Sequence, residues 1–274
     1  MKCFTNRINF RSSNLQLLIH YFCIMTATIP WYKEWFNSPY YHLLYFKRDE
    51  AEAKKFIDNI LGLLHPDKNS FMLDAACGRG RLSKILAAKG FDVTGIDLAT
   101  ENIRYAKQFE SENLHFFVHD MRLPFWINYF NCAFNFFTSF GYFDTRREHE
   151  DAIRTIAQSI KPDGTFILDF LNVHYAEDHF KRRYEVTVEK VNFMVTKWYD
   201  ETHFYKKIIV EDEQRDKPLE FTEKVAKFSL GDFTEMFAYY GLQVVNVYGD
   251  YDFNSYHIRN SPRMVIIAKK VKNV

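Results

Sequence analysis

Apolar positions change their spacing along this chain, and each change marks a different kind of element. From Trp31 to Leu64 they recur every three or four residues, as in helices with one buried face, and Pro39 marks a break. Apolar runs and helical patterns then alternate. Phe71–Ala75 reads as a strand, and Arg81–Lys89 as a helix closed by Gly90. Asp92–Ile96 reads as a second strand, followed by a helix over Thr100–Phe109 with Thr100 as N-cap. Leu114–Val118 and Cys132–Phe137 are the third and fourth strands. Thr145–Ile160 is an amphipathic surface helix, stopped by the turn Lys161-Pro162-Asp163-Gly164, and Thr165–Leu171 is the fifth strand. Nearly continuous apolar strands alternating with helices predict an α/β class fold, a doubly wound, mostly parallel sheet covered on both faces.

After Asn172 the period falls to two. Arg183–Lys197, Phe204–Glu213 and Phe221–Ser229 alternate apolar with polar, as antiparallel strands with one wet face do. A helix over Leu230–Tyr240, ended by Gly241, and strands over Gln243–Val247 and Arg263–Lys270 return to the first pattern. The resulting division is an extension over 1–24, a helical cap over 25–66, an α/β core over 67–175, an antiparallel β insertion over 176–228, and the rest of the core over 229–274.

Composition narrows the partners. With 274 residues, 47% of them hydrophobic and 26% charged, the chain reads as a soluble globular protein, and 28 Phe and 17 Tyr predict ring-rich cores and pockets. A net charge of +1 without a basic stripe gives no electrostatic case for nucleic acid. Cys3, Cys23, Cys77 and Cys132 show neither CxxC spacing nor histidines at ligand spacing, which predicts a reduced, cytoplasmic protein with no disulfide framework and no metal site. Lys2, Arg7 and Arg11 precede a short apolar run, Leu15 to Met25, interrupted by His20. The run is too short to span a membrane. It reads as a disordered extension, or as the product of an upstream start codon with Met25 as initiator. The alternative is a signal peptide ending at Thr26-Ala27-Thr28.

The chemistry concentrates in residues 72–97, MLDAACGRGRLSKILAAKGFDVTGID. A strand ends near Asp74, the turn Cys77-Gly78-Arg79-Gly80 leads into a helix, and the next strand ends at Asp97. Sheets of this kind bind ligands at the carboxyl ends of their strands, where glycines let backbone approach closely. A nucleoside triphosphate is excluded, because no GxxxxGK[ST] is present. A dinucleotide is half matched by Gly78-x-Gly80 with Asp97 placed for a ribose, but Ser83 stands where its third glycine belongs. Asp74 would repel a pyrophosphate and suits a cationic amino-acid ligand.

On these residues the chain resembles the class I S-adenosylmethionine-dependent methyltransferases, strongly over Asp67–Asn172 and more loosely over Leu230–Lys270. Asp74-Ala75-Ala76-Cys77-Gly78-Arg79-Gly80 looks like the family's first motif, and Gly95-Ile96-Asp97 like its second, whose acid holds the ribose hydroxyls. His119-Asp120-Met121 matches the position that reads the adenine edge. Asn135 to Tyr142 sits where the fourth strand opens onto the methyl donor, and Lys161-Pro162-Asp163-Gly164 resembles the turn before the fifth strand. Gly249-Asp250-Tyr251-Asp252 with Ser261-Pro262-Arg263 is similar to a small-molecule subgroup with a β insertion before the last helix. The resemblance implies a seven-stranded Rossmann-like sheet and S-adenosyl-L-methionine as cofactor. The binding residues it implies are Asp74, Ala76, Cys77, Gly78, Gly80, Asp97, Leu98, Asp120, Met121 and Asn135. Arg79 and Arg81 either form a solvated face or reach the cofactor carboxylate.

Such an enzyme transfers a methyl group in line to an N or O acceptor on a small molecule, with neither membrane nor nucleic acid as partner. Its task is to align the acceptor and exclude water, so no nucleophilic side chain is expected. Candidate bases near strand ends are Asp169, Asn172, His174, Asp250 and Tyr251, each with loop capping as the plain alternative; His149, on a surface helix, is a poor one. Trp31, Trp35, Tyr40, Tyr41 and Tyr45 form either a lid over the donor or packing on the sheet. The alternatives are a protein that binds S-adenosylmethionine without turnover and an NAD-dependent oxidoreductase. The acceptor, the general base and the oligomeric state are not encoded legibly.

Overall fold

The computed structural model describes residues 30–45 and 50–271, so the expected extension over 1–24 lies outside the described residues. Among the described residues, three helices precede the first strand: α1 (Trp31–Asn37), α2 (Pro39–Leu44) and α3 (Glu50–Leu64). Ser38 separates α1 from α2. Its hydroxyl accepts the Tyr40 amide, and Pro39 supplies a fixed φ at the first helical position. The core then runs β1 (Phe71–Ala75), α4 (Arg81–Ala88), β2 (Asp92–Asp97), α5 (Thr100–Ala106), β3 (Leu114–Val118), β4 (Phe130–Asn135), α6 (Arg146–Ser159) and β5 (Ile160–Leu171). A short helix, α7 (Val173–Asp178), leads into β6 (Arg183–Val188), β7 (Val191–Tyr199), β8 (His203–Asp212) and β9 (Leu219–Ala226). The chain closes with α8 (Leu230–Tyr239), β10 (Leu242–Tyr248) and β11 (Arg263–Lys270).

The strands form a seven-stranded sheet in the order β10-β11-β5-β4-β1-β2-β3 and a four-stranded sheet in the order β6-β7-β8-β9. In the large sheet β1 to β5 are parallel, while β11 runs against β5 and β10 against β11. Successive side chains along a strand face opposite sides, so Leu73 joins one buried cluster with α6 and α8 while Met72 joins the other with α3, α4 and α5. Burial on both sides is why these strands read as apolar runs. The chain leaves β1 toward β2 and β3, then crosses back to place β4 on β1's other flank. That reversal opens a crevice at the carboxyl ends of β1 and β4.

The small sheet buries Phe193, Val195, Ile208, Val210 and Phe221 against Trp35 of α1. Trp35 is 1% exposed, and its ring lies 4.6 Å from that of Phe221. The insertion therefore packs on the N-terminal cap, and the cap borders the crevice.

Several local expectations change. The alternation over Arg183–Lys197 belongs to two strands, because Val188 pairs with Val191 across a two-residue turn at Glu189-Lys190, with Glu189 at φ +56°. Neither turn residue is Gly, Asn or Asp, so the usual hairpin signal was missing. The N-cap of α5 is Ala99 rather than Thr100, since Asp97 already takes the Ala99 amide at 2.7 Å. The Lys161–Gly164 turn loops out within β5, whose register on β4 jumps from Ile160 opposite Phe130 to Thr165 opposite Cys132. His149 is buried, not on the surface. It packs among Phe140, Phe143 and Phe228, and burial pushes its imidazole down to about 4. Its Nδ1 donates to the Thr145 carbonyl and its Nε2 accepts the Phe143 amide, which fixes a neutral structural tautomer.

Candidate active site

At the end of β1 the backbone turns through left-handed geometry. Ala76 has φ +62°, Gly78 φ +57° and Gly80 φ +75°. Gly80 has a packing reason to lack a side chain: a Cβ there would lie 2.5 Å from Cζ of Phe116 on β3. At Gly78 a Cβ would meet nothing within 4 Å and would stand in the open space of the crevice. The Cys77 amide donates to the Ile96 carbonyl at 2.9 Å, and the Gly78 amide donates to Asp97 Oδ2 at 2.8 Å. The turn after β1 is thus built on the end of β2.

A buried carboxylate, Asp74, and a half-buried one, Asp97, stand beside this turn. Asp74 is 3% exposed and accepts the Ser83 hydroxyl at 2.6 Å; burial pushes its carboxyl up to about 6, and the charge of Asp97 adds to the effect. Burial also raises Asp97, against the bonds it accepts from Ala99 and Gly78. A cationic ligand placed between them would relieve both. Burial and these two carboxylates hold the Cys77 thiol well above its ordinary range, so it stays protonated.

Asp120 is arranged differently. Burial alone would raise its carboxyl, but Arg122 donates Nε to Oδ1 at 3.1 Å and Nη2 to Oδ2 at 2.7 Å, and holds it below the ordinary range. Arg122 also pairs with Glu148 of α6 and lies 4.7 Å from the Phe143 ring centroid. Asn135, fully buried at the end of β4, donates Nδ2 to the carbonyls of Ala75 at 3.0 Å and Ser139 at 3.2 Å. It ties β1 to the chain leaving β4.

That chain then takes an unusual path. Phe137 and Thr138 both have φ +58°, a region that costs bulky and β-branched residues about 1–3 kcal/mol each.

These elements enclose a cavity of about 460 Å³. Its walls bring together Asp74, Ala76, Cys77, Gly78, Asp97, Leu98, Asp120 and Met121 of the expected set, with Arg79 and Arg81. Gly80 and Asn135 stand behind the wall, as turn former and as strap. Asn102 and Arg79 each bring to the wall a buried polar atom, Oδ1 and Nε, that bonds to no described residue. Rings complete the wall: Tyr32, Phe36, Tyr41 and His42 from α1 and α2, Tyr45 at the end of α2, and Phe137, Phe140, Tyr142 and Phe143 after β4. Of the aromatic residues singled out in the sequence, Tyr41 and Tyr45 reach the cavity. Trp35 and Tyr40 instead face the small sheet, donating to Glu223 at 2.8 Å and to Asp212 at 2.6 Å. Tyr32, Phe36 and His42 were missed; Tyr32 and Phe36 stand four apart on one face of α1, and that spacing was the available signal.

The candidate bases do not line the cavity. Asp169 accepts the Phe137 amide at 2.7 Å, the Tyr251 hydroxyl at 3.0 Å and Arg263 Nε at 2.8 Å. Asn172 donates to the carbonyls of Ile258 and Ser261, and Asp250 caps the amides of Asp252 and Asn254. His174 lies on α7, outside the cavity wall.

Comparison with known proteins adds the following. A family model described as a methyltransferase domain matches residues 45–247. YqeM of Bacillus subtilis (strain 168), named provisionally as a methyltransferase, is 34% identical over 107 residues, 38% of this chain and 43% of its own. The chain spans less than half the length of the first curated relatives it matches. Among solved structures, an S-adenosylmethionine-dependent methyltransferase from Clostridium acetobutylicum ATCC 824 superposes with a TM-score of 0.71 at 16% identity, covering 93% of this chain and 100% of that one. The S-adenosylmethionine-bound CalS10, an amino pentose methyltransferase from Micromonospora echinaspora, gives a TM-score of 0.58 at 17% identity, covering 98% and 100%. At such identities these two likenesses concern the fold.

Proposed function

We infer, for a chain that belongs to the methyltransferase-domain family and has a class I, Rossmann-like fold, that it is an S-adenosylmethionine-dependent methyltransferase and transfers the methyl group in line to a nitrogen or oxygen atom of a small molecule. One observation carries the proposal. A single cavity joins the acidic, glycine-bearing ends of β1 and β2 to a wall of aromatic rings.

When bound, the cofactor supplies a methyl group on a sulfonium, whose departure leaves a neutral thioether. Asp74 would hold the ammonium of its amino-acid end, and Arg79 with its unengaged Nε the carboxylate. Gly78, bare of a side chain, gives that end room. Asp97 retains acceptor capacity for ribose hydroxyls after its two backbone bonds, and Asp120 with the Met121 amide would meet the base. Tyr32, Phe36, Tyr41 and Tyr142 exclude water and present ring faces and hydroxyls to the acceptor. Their uncharged character favours a neutral or amine-bearing acceptor, and the amino pentose enzyme of the same fold fits that class. The acceptor gives up one proton during transfer. Asp169, Asn172 and Asp250 are engaged in other bonds, and we assign no general base.

The test is isothermal titration of the full chain with S-adenosylmethionine, S-adenosylhomocysteine and NADH, followed by a mass-spectrometric acceptor screen. Binding of the first two, and a mass gain of one methyl in an amine- or hydroxyl-bearing small molecule, is the expected result. NADH binding alone would overturn it.

A further inference from the structure

Phe137 and Thr138 stand consecutively in left-handed geometry, Phe137 at the cavity wall, and neither is glycine. A strained turn persists only where its surroundings over-determine it. Here they do. The Phe137 amide donates to Asp169 Oδ2 at 2.7 Å and the Thr138 amide to the Asp169 carbonyl at 3.0 Å. Arg263 Nη2 donates to Thr138 Oγ1 at 2.9 Å while its Nε bonds Asp169 Oδ1 at 2.8 Å. The Tyr142 hydroxyl closes the turn onto the Thr138 carbonyl. Every polar atom of Thr138 is therefore committed.

We infer that Asp169 and Arg263 are positioning residues, an ion pair with its carboxylate buried that fixes the Phe137–Thr138 turn and so sets where the wall from Phe137 to Tyr142 stands against an incoming acceptor. The inference rests on the methyl-transfer reading of the cavity. A buried ion pair is poor evidence for stability, because apolar residues of the same volume serve as well. This pair differs in that both partners also bond the turn, so it specifies a conformation. The pair is held on every side: Asp169 is wholly buried, Arg263 joins it with two nitrogens on Oδ1, and the remaining oxygen takes the Phe137 amide and the Tyr251 hydroxyl. Burial, with the Asp169 charge beside it, holds the Tyr251 phenol far above its ordinary range, so it remains a donor. The same pair joins β5 to β11, and Tyr251 rests on Phe56 of α3. The turn is thereby referenced to the core.

Two substitutions separate this role from general stability. Arg263→Lys keeps a cation for Asp169 but loses the fork that also reaches Thr138. Thr138→Val keeps the β-branch and removes only the hydroxyl. Deuterium exchange of the peptide covering residues 134–142, titration with S-adenosylmethionine, and single-turnover transfer to the acceptor found in the screen are measured on each variant and on the double. The expected result is at least tenfold faster exchange in that peptide, cofactor affinity within about twofold, and a transfer rate down at least tenfold, with the double variant no worse than the worse single one. Unchanged exchange overturns the inference. So does a loss spread over β5 with cofactor affinity and melting temperature falling together. If the unaltered chain bound no S-adenosylmethionine, the functional reading would fail while the exchange result still judged the clamp.

Discussion

Asp97 and Gly78 are joined across the crevice floor: the carboxylate at the end of β2 accepts the amide of the turn after β1 at 2.8 Å. Its other oxygen accepts the Ala99 amide at 2.7 Å. One side chain therefore fixes the glycine turn, starts α5 and presents its remaining lone pairs to the cavity.

Asp97→Ala removes all three roles. Bonds to a charged acceptor are worth about 1.5–3 kcal/mol each, so S-adenosylmethionine affinity should fall at least tenfold. Asp97→Asn, which keeps one amide acceptor, should fall between the two. Isothermal titration reads the affinities and thermal melting reports whether the fold survives. Unchanged affinity in the alanine variant would remove Asp97 from the binding site.

Asp74 predicts a pH dependence of cofactor binding. Its carboxyl sits at about 6 in the cofactor-free protein because burial, with Asp97 nearby, disfavours the charge. A bound ammonium favours the ionised form, so below that value binding must expel a proton. Affinity should rise with pH through about 6, by up to tenfold per unit, and level off above it. Stability of the free protein moves the other way. The folded state keeps this proton to higher pH than the unfolded state, so Asp74 makes stability fall as pH rises from 3.8 to about 6. Titrations across that range test the slope, and Asp74→Asn should flatten it.

Both acids were legible in the sequence because the chemistry there is local. An apolar run, an acid and a glycine turn lie within a few residues, and the strand–helix rhythm says where such a turn must stand. The aromatic wall was only half legible. Tyr41 and Tyr45 share a helical segment with Trp35 and Tyr40, yet the first pair faces the cavity and the second the small sheet, a choice made by tertiary packing. Asp169 illustrates the limit. Its place near the end of the fifth strand suggested a base, but Arg263, nearly a hundred positions later and brought beside it by an antiparallel pairing, turns it into a strap. Likewise Glu189-Lys190 makes a hairpin without the residues that usually announce one.

Arg122 should matter for both stability and binding. It holds Asp120 with three side-chain bonds and links it to Glu148 of α6. Arg122→Met leaves a half-buried carboxylate without its cation and should cost about 1–3 kcal/mol in urea unfolding at neutral pH. In the intact protein Asp120 is held below its ordinary range, so its contribution is present above pH 3.8 and lost as pH falls through the lower folded value. The variant should lack that acid-side loss. An identical acid slope in both proteins would place the stabilisation elsewhere.

Trp35 gives the last prediction, because it connects the insertion to the cavity without touching the cavity itself. Its ring is buried against Phe221 and Tyr41, and its Nε1 donates to Glu223, which also accepts the Tyr45 hydroxyl at 3.0 Å. Truncating a buried tryptophan costs about 3–5 kcal/mol. Trp35→Ala should therefore lower the melting temperature strongly. Trp35→Phe keeps most of the packing but leaves the Glu223 bond unmade, at a cost of about 1–3 kcal/mol. If the insertion sheet sets the position of α2, the phenylalanine variant should bind S-adenosylmethionine normally, because Asp74, Gly78 and Asp97 are untouched, yet show a raised KM for the acceptor, because Tyr41 and Tyr45 lose their brace. Titration and steady-state kinetics separate the two effects. Equal losses in both would mean that the cap holds the cofactor as much as the acceptor.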